Sequence, residues 1–249
     1  MSLREALIQG EQKLPNPPIV EASLDIRFRP AKAGYLTLAE LMSSMEELVT
    51  DFEQQHIVDN SNSNNPQAKT THHEIHYWSK LNQDGYSAGV GPGIFVLTCT
   101  DHYTSWQDFQ SIYQNFVEKI QRTESIESYE RLGLRYKNFF DKELNMKDGQ
   151  DLGLRINLPE GFYFEKANFQ TQLIFDDANA NLTISNTSQI ITEKESRVGS
   201  IVDIDSFCTS NIADNLMSRI GKLHDVEKET FFNLLSDDFI QQLHSNDND

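Results

Sequence analysis

The amino-acid sequence predicts an α+β fold, with antiparallel sheets and helices packed on one face of them. Several stretches alternate between apolar and polar residues, which is the period of two expected of a strand with one packed face. Other stretches repeat apolar residues every three or four positions, as an amphipathic helix does. The order strand, helix, three strands, helix occurs twice, so we expect two pseudo-repeated halves, residues 1–125 and 126–249.

The overall charge limits the partners that the chain can meet. Of its 249 residues, 38% are hydrophobic, which is enough to bury a sizeable core. The formal net charge of -17 at pH 7 repels nucleic acid and anionic membranes on average. We therefore expect no non-specific nucleic-acid binding and no membrane association. The longest uncharged run, residues 85–100, is broken by glycine and proline, which favours two strands and a turn.

The cysteine content indicates the compartment. Cys99 and Cys208 are the two cysteines, and no charged and apolar leader pattern opens the sequence. Disulfides are rare in reducing compartments. We therefore expect two thiols and a cytoplasmic protein.

The first predicted elements are a short helix over residues 4–12 and a strand after the prolines of residues 15–18. The strand places apolar side chains on one face: Val20, Ala22, Leu24, Ile26 and Phe28. The residues between them are mostly polar or charged, so the second face of this strand is polar.

The first long helix is predicted to begin at Thr37, which forms a capping box with Glu40, and to end near Gln55. Apolar residues recur along it at three and four positions. The polar residues 59–69 that follow lack apolar side chains, so we expect a loop that is dispensable for folding.

An antiparallel meander and a second helix complete the first half. The strands are predicted over residues 72–78, 85–90 and 94–100, with turns rich in glycine between them. The helix covers residues 106–120, with Ser105 as its N-cap.

We expect the rest of the chain to be organised around the strand formed by residues 130–140. Leu132, Leu134 and Tyr136 lie on one face of it, and Arg131 and Arg135 lie on the other. One face of this strand is therefore expected to pack in the core, and the other to carry charge.

The remaining predicted elements follow the same order as in the first half. They are a polar connection over residues 141–152, for which a helix is one option, strands over 162–175, 182–192 and 198–207, and a helical region over 212–243 that bends or breaks near Ser236.

Five short signals follow one another along nearly the whole chain. They are Pro17-Pro18-Ile19-Val20-Glu21-Ala22, Tyr103-x-x-Trp106, Arg131-Leu132-Gly133-Leu134-Arg135-Tyr136-Lys137-Asn138, Val202-Asp203-Ile204-Asp205 and Leu223-His224. In this order and spacing, the chain resembles a sporadically distributed family of uncharacterised bacterial proteins of about this length. The resemblance implies a bacterial cytosolic origin and an accessory role such as defence against phage, and it transfers no catalytic residue.

Six charged residues on the predicted strands are the candidate binding residues: Arg131, Arg135, Asp203, Asp205, Asp25 and Arg27. Opposite charges that face each other across strands stabilise a sheet, so cross-strand ion pairs are one interpretation. The carboxylates of Asp203 and Asp205 share a face, and a pair of this kind can also bind magnesium or act as acid and base.

A second cluster with possible ligands is His72, Glu74 and His76, which project from one face of a predicted strand. Such an arrangement can hold zinc, but a zinc site needs a third and fourth ligand from elsewhere, and none at matching spacing is visible. We therefore expect solvated histidines, with no metal site and no cofactor.

Three classes of function remain. We favour a cytosolic binding or regulatory protein, not an enzyme, whose charged sheet face meets a partner protein or polar ligand, because no nucleophile with its base is visible. The alternatives are magnesium-dependent phosphoryl transfer or nuclease activity on the paired carboxylates, and a structural subunit of a larger assembly. We also expect self-association, since the edge strands of a sheet must be capped or paired.

Overall fold

A computed structural model shows one antiparallel sheet of nine strands and, in the described residues, five helices. The structure describes residues 1–54, 75–155, 166–191, 196–212 and 215–245. The α+β class and the antiparallel sheet are therefore confirmed. None of the helices in these ranges is both long and apolar enough to cross a membrane.

The strands are β1 (Ile19–Pro30), β2 (Glu53–Gln54), β3 (Tyr77–Lys80), β4 (Tyr86–Gly91), β5 (Ile94–Thr100), β6 (Ile126–Phe140), β7 (Phe169–Ile174), β8 (Asn179–Ile191) and β9 (Ser196–Cys208). The helices are α1 (Leu3–Gln9), α2 (Gly34–Met45), α3 (Trp106–Arg122), α4 (Leu216–Leu234) and α5 (Asp237–Ser245). The strands are ordered β2-β3-β4-β5-β1-β6-β9-β8-β7 across the sheet.

The chain divides into two compact units, each assembled from separate segments. Unit 1 comprises residues 1–21, 134–207 and 221–249, and unit 2 comprises residues 22–133 and 208–220. The boundary between residues 125 and 126 stays a prediction.

The alternation predicted for β1 and β6 is confirmed. Leu24 and Ile26 of β1 are fully buried, as are Leu132 and Leu134 of β6. On the other face, Asp25 of β1 and Arg131 and Arg135 of β6 keep part of their surface in solvent, whereas Gly133 is buried. Because side chains alternate along a strand, burial of one face leaves the charged residues together on the other.

The core of unit 1 lies between strands and helices. Apolar residues of β8 and β9, such as Ile184 and Ile204, belong to the same buried cluster as Phe231 of α4 and Ile240 of α5. A large apolar area is thereby removed from water, and each Å² of it stabilises the fold by roughly 25 cal/mol.

The core of unit 2 includes aromatic contacts of β4 and β5 with α3. The rings of Phe95 and Phe116 lie 5.3 Å apart, and those of Tyr86 and Phe109 lie 6.2 Å apart. Ser105 caps α3 as predicted, because its Oγ accepts a hydrogen bond of 3.1 Å from the backbone N–H of Asp108.

The prediction for α2 is wrong at both ends. The helix begins at Gly34, and Thr37 lies inside it as a buried residue. Glu40 does not close a capping box, because its carboxylate accepts hydrogen bonds from the Glu124 N–H (3.1 Å) and from the Ser125 hydroxyl. The helix ends at Met45 instead of near residue 55, and β2 follows, paired with β3.

The C-terminal helical region breaks at Ser236, as predicted. Ser236 Oγ accepts a hydrogen bond of 3.2 Å from the Phe239 N–H, which caps α5. Leu235, just before it, forms an isolated bridge with Leu152. The connection over residues 141–152, for which a helix was one option, contains none.

Some predictions lie outside the described residues. They are the polar loop over residues 59–69, the first part of the strand predicted over 72–78 and the first part of the strand predicted over 162–175.

Replacing Leu134 with alanine tests the orientation of β6. Leu134 is completely buried, so Leu134→Ala leaves a cavity and should lower the free energy of unfolding by about 2–5 kcal/mol in denaturant titrations. Val198→Ala on β9, where the side chain is 55% exposed, is the control and should cost under about 1 kcal/mol. A harmless Leu134→Ala beside an unfolded Arg131→Ala would mean that the two faces of β6 are reversed.

Candidate functional site

The six predicted binding residues form two groups, each within one compact unit. Arg135, Asp203 and Asp205 belong to unit 1, and Asp25, Arg27 and Arg131 belong to unit 2. Two further residues of unit 1, Glu21 and Lys137, join the first group. We name the five residues of unit 1 the Arg135 cluster and the three residues of unit 2 the Asp25 cluster.

A bidentate ion pair lies at the centre of the Arg135 cluster. Arg135 Nε donates to Asp203 Oδ1 over 2.7 Å, and Arg135 Nη2 donates to Asp203 Oδ2. The hydrogen bonds from Asp203 raise the pKa of Arg135 above its ordinary value despite partial burial, and the charges of Glu21 and Asp205 act in the same direction. The guanidinium is therefore held as a fixed positive charge.

The pairing continues onto the neighbouring strands of unit 1. Lys137 Nζ lies 2.7 Å from Glu21 Oε2. Asp205 accepts a hydrogen bond of 3.2 Å from Asn181 Nδ2, and Asn181 Oδ1 accepts one of 3.0 Å from Gln172 Nε2. A line of polar side chains thus runs from β9 across β8 to β7.

Asn181 and Gln172 belong to this line although they were not among the predicted site residues. Their signal is register, since Asn181 is the direct partner of Asp205 and Gln172 is the direct partner of Asn181. Register between strands that are distant in sequence is not visible in either strand alone.

The Asp25 cluster is a three-residue network. Asp25 Oδ1 accepts from Arg131 Nη1, and Asp25 Oδ2 accepts from Arg27 Nε over 3.2 Å. Gly133 makes this arrangement possible, because a Cβ at that position would overlap Arg131 Nη1 and Asp25 Oδ1. Glycine at this position therefore leaves room for the contact between Arg131 and Asp25.

The contacts decide what the two aspartates of β9 are available for. Both oxygens of Asp203 accept hydrogen bonds from Arg135, while Asp205 accepts from Asn181. Within the described ranges, no group of three or more His, Cys, Asp or Glu side chains is placed to hold a metal ion. His72 and Glu74 of the other candidate cluster lie outside those ranges. In the described residues, both aspartates of β9 are thus engaged by side chains of neighbouring strands.

Two titratable residues of α4, Glu227 and His224, were not among the predicted site residues, and Glu227 is buried. Glu227 occupies a core-facing position between Leu223 and Phe231, and only 7% of it is exposed. Burial raises the pKa of Glu227 to about 8, although the charge of Lys228 opposes this. The signal was a carboxylate within the apolar stripe of an amphipathic helix.

His224 lies one turn before Glu227 on the same helix. Desolvation lowers the pKa of His224 to about 3, and the charge of Lys228 acts in the same direction. Its ring centroid is 6.2 Å from that of Tyr136 on β6. At pH 7, therefore, both His224 and Glu227 are predominantly neutral in the folded protein.

Comparison with known proteins adds no residue roles, since no family model matches the chain and no curated protein matches it either.

Gly133→Ala tests the packing of the Asp25 cluster. The new Cβ displaces Arg131 from Asp25, so we expect a loss of about 1–3 kcal/mol in the free energy of unfolding, measured by denaturant titration. Gly221→Ala on α4 is the matched control, because no atom lies within 4 Å of its new Cβ and alanine favours a helix by about 1 kcal/mol. Equal stability of the two variants would contradict the role assigned to Gly133.

Glu227→Gln tests the burial of the Glu227 carboxyl group through the pH dependence of stability. The folded pKa of Glu227 is raised, so its contribution to stability is complete below the unfolded pKa, near 4.5, and is lost as the pH rises to about 8. The lowered pKa of His224 has the opposite effect, confined to the range from about 3 to 6.5. Between pH 6.5 and 8, therefore, His224 no longer offsets the effect of Glu227, and the free energy of unfolding falls by about 1.4 kcal/mol per pH unit.

As the pH rises from 6.5 to 8, we expect the free energy of unfolding of Glu227→Gln to increase by roughly 2 kcal/mol relative to that of the wild type, measured by urea unfolding. Glu229→Gln is the control, because it removes an exposed carboxylate from the same helix. A wild type whose stability difference from Glu227→Gln does not change with pH would show that Glu227 is ionised in the fold.

Proposed function

We propose that the protein is a binding or regulatory protein and not an enzyme, and that it meets a partner protein or polar ligand through its charged sheet residues. The Arg135 cluster is the principal contact surface, and the Asp25 cluster is a second one. The observation that carries the proposal is that Arg135 keeps 42% of its side-chain surface exposed although Asp203 holds it at both oxygens.

A fixed but exposed guanidinium suits recognition. Arg135 has five N–H donors, and its hydrogen bonds to Asp203 use one donor on Nε and one on Nη2. Since Asp203 already orders the side chain, a partner would bind it with a smaller loss of conformational entropy. Arginine is also among the residues that contribute most to protein interfaces.

The mixture of charges supports a protein or a zwitterionic ligand as the partner. The Arg135 cluster combines two cations with three carboxylates, and the whole chain carries a net charge of -17. Nucleic acid presents charges of one sign and would be repelled. A protein surface can place opposite charges against each member of such a cluster.

The proposal extends to origin and location. Neither Cys99 nor Cys208 forms a disulfide, and both are buried, which supports a reducing cytoplasm. A bacterial origin and an accessory role rest on the sequence resemblance alone.

We also propose that the two halves of the chain are a pseudo-repeat. Support comes from the strand order, which reads β1, β5, β4, β3 in one direction from the middle of the sheet and β6, β9, β8, β7 in the other. A departure lies in the connection after β6, where the described residues 141–155 and 166–168 contain no helix to match α2.

A charge swap separates recognition from stability. The double variant Arg135→Asp with Asp203→Arg retains an ion pair but reverses its direction, so we expect its melting temperature to stay within a few degrees of the wild type. We expect the double variant to capture at least about tenfold less partner than the wild type from cells that naturally make the protein, because the reversed pair repels the charges that complement the original one. The amount captured is quantified by mass spectrometry.

The control is the same swap in an exposed pair of unit 1. Lys222 and Asp177 lie 3.2 Å apart, and both are more than half exposed. Lys222→Asp with Asp177→Lys should capture the partner as the wild type does. Equal capture by all three proteins would leave the Arg135 cluster with a purely structural role.

A further inference from the structure

The two edges of the sheet differ in how they are protected. At one edge lies β2, of which the described residues are Glu53 and Gln54, so this described edge is short and includes a charge. At the other edge lies β7, which has six residues. Short, charged edge strands are a common defence against pairing with other chains, and β7 lacks both features.

The sequence of β7 is typical of a strand that pairs. Residues 167–175 contain no charged side chain, no proline and no glycine, in a chain of which 24% is charged. Every second residue of β7 is exposed, and Ile174 is 81% exposed. In the part of the chain that the structure describes, β8 is the strand that pairs with β7.

We infer that β7 is a self-association edge, where it pairs antiparallel with β7 of a second copy of this chain. Antiparallel pairing of a strand with its own copy is generated by a twofold axis perpendicular to the sheet. It closes after two copies, and it satisfies the outward N–H and C=O groups of both edges.

Charge favours a second copy at this place. Two chains of net charge -17 repel each other wherever acidic residues meet, and the uncharged edge avoids this. Antiparallel pairing also brings the start of one β7, preceded by Lys166, beside the end of the other, followed by Asp176 and Asp177. Within its own chain, Lys166 already pairs with Glu143, and Asp177 pairs with Lys222. The residues that flank β7 therefore add no strong attraction between the two copies, but they do not repel each other.

The twofold axis fixes the register to a narrow choice. Because the axis keeps each side chain on the same face of the sheet, one residue near the middle of β7 must face its own copy. For a six-residue strand that residue is Thr171 or Gln172.

The first experiment measures mass by sedimentation equilibrium of the full chain. The wild type should reach about twice 28.6 kDa at tens of micromolar. Thr171→Lys with Gln172→Lys places like charges opposite each other in either register, so its dimer should dissociate at least about tenfold more readily. Ser196→Lys with Val198→Lys adds the same charge to exposed positions of the inner strand β9 and should remain dimeric.

The second experiment tests the pairing itself by mild oxidation of single cysteine variants. Either Thr171→Cys or Gln172→Cys should form a disulfide-linked dimer, because one of them faces its own copy, whereas Val198→Cys should not. The native Cys99 and Cys208 are buried and do not compete. A wild type of 28.6 kDa up to millimolar concentration, a dimer unaffected by the two β7 lysines, or no cross-link at either position would each overturn the inference.

Discussion

Burial of one face of β1 and β6 is the constraint on which the rest of the structure depends. Leu24, Ile26 and Leu134 lose all their exposure to solvent, so a shift by one residue would expose them and bury charges in their place. The cost of such a slip, at several kcal/mol for each buried side chain, fixes which residues face outward. The position of every charged residue on these strands follows from it.

The charged residues that face outward are held in pairs. A half-buried arginine beside a carboxylate is favourable only if its hydrogen bonds are satisfied, which the bidentate contact between Arg135 and Asp203 achieves. Gly133 has a comparable role in the other unit, where its missing side chain leaves room for Arg131 to reach Asp25. Stability and recognition are compatible here, because the contacts that fix the charges also present them in one geometry.

Polar groups inside the protein follow a different rule. Glu227 has no full charge to offer at neutral pH, since burial favours its protonated form, and desolvation keeps His224 neutral. A neutral His224 can lie beside the Tyr136 ring, and a neutral Glu227 can lie in the core, without the large cost of a buried ion. The outer face of the sheet thus uses charges and the inner face avoids them.

The sequence alone determined the fold class, the buried faces of β1 and β6 and the approximate positions of most strands and helices, because periodicity and caps are local properties. It did not reveal β2, which lies where a helix was predicted. The cap of α3 at Ser105 and the break at Ser236 depend on residues within one turn, so each could be predicted. Tertiary structure decided the start of α2, since Glu40 bonds to Glu124 and Ser125, which only folding brings close. It also decided which charges pair, because register between distant strands depends on the packing of the whole sheet and not on the local pattern.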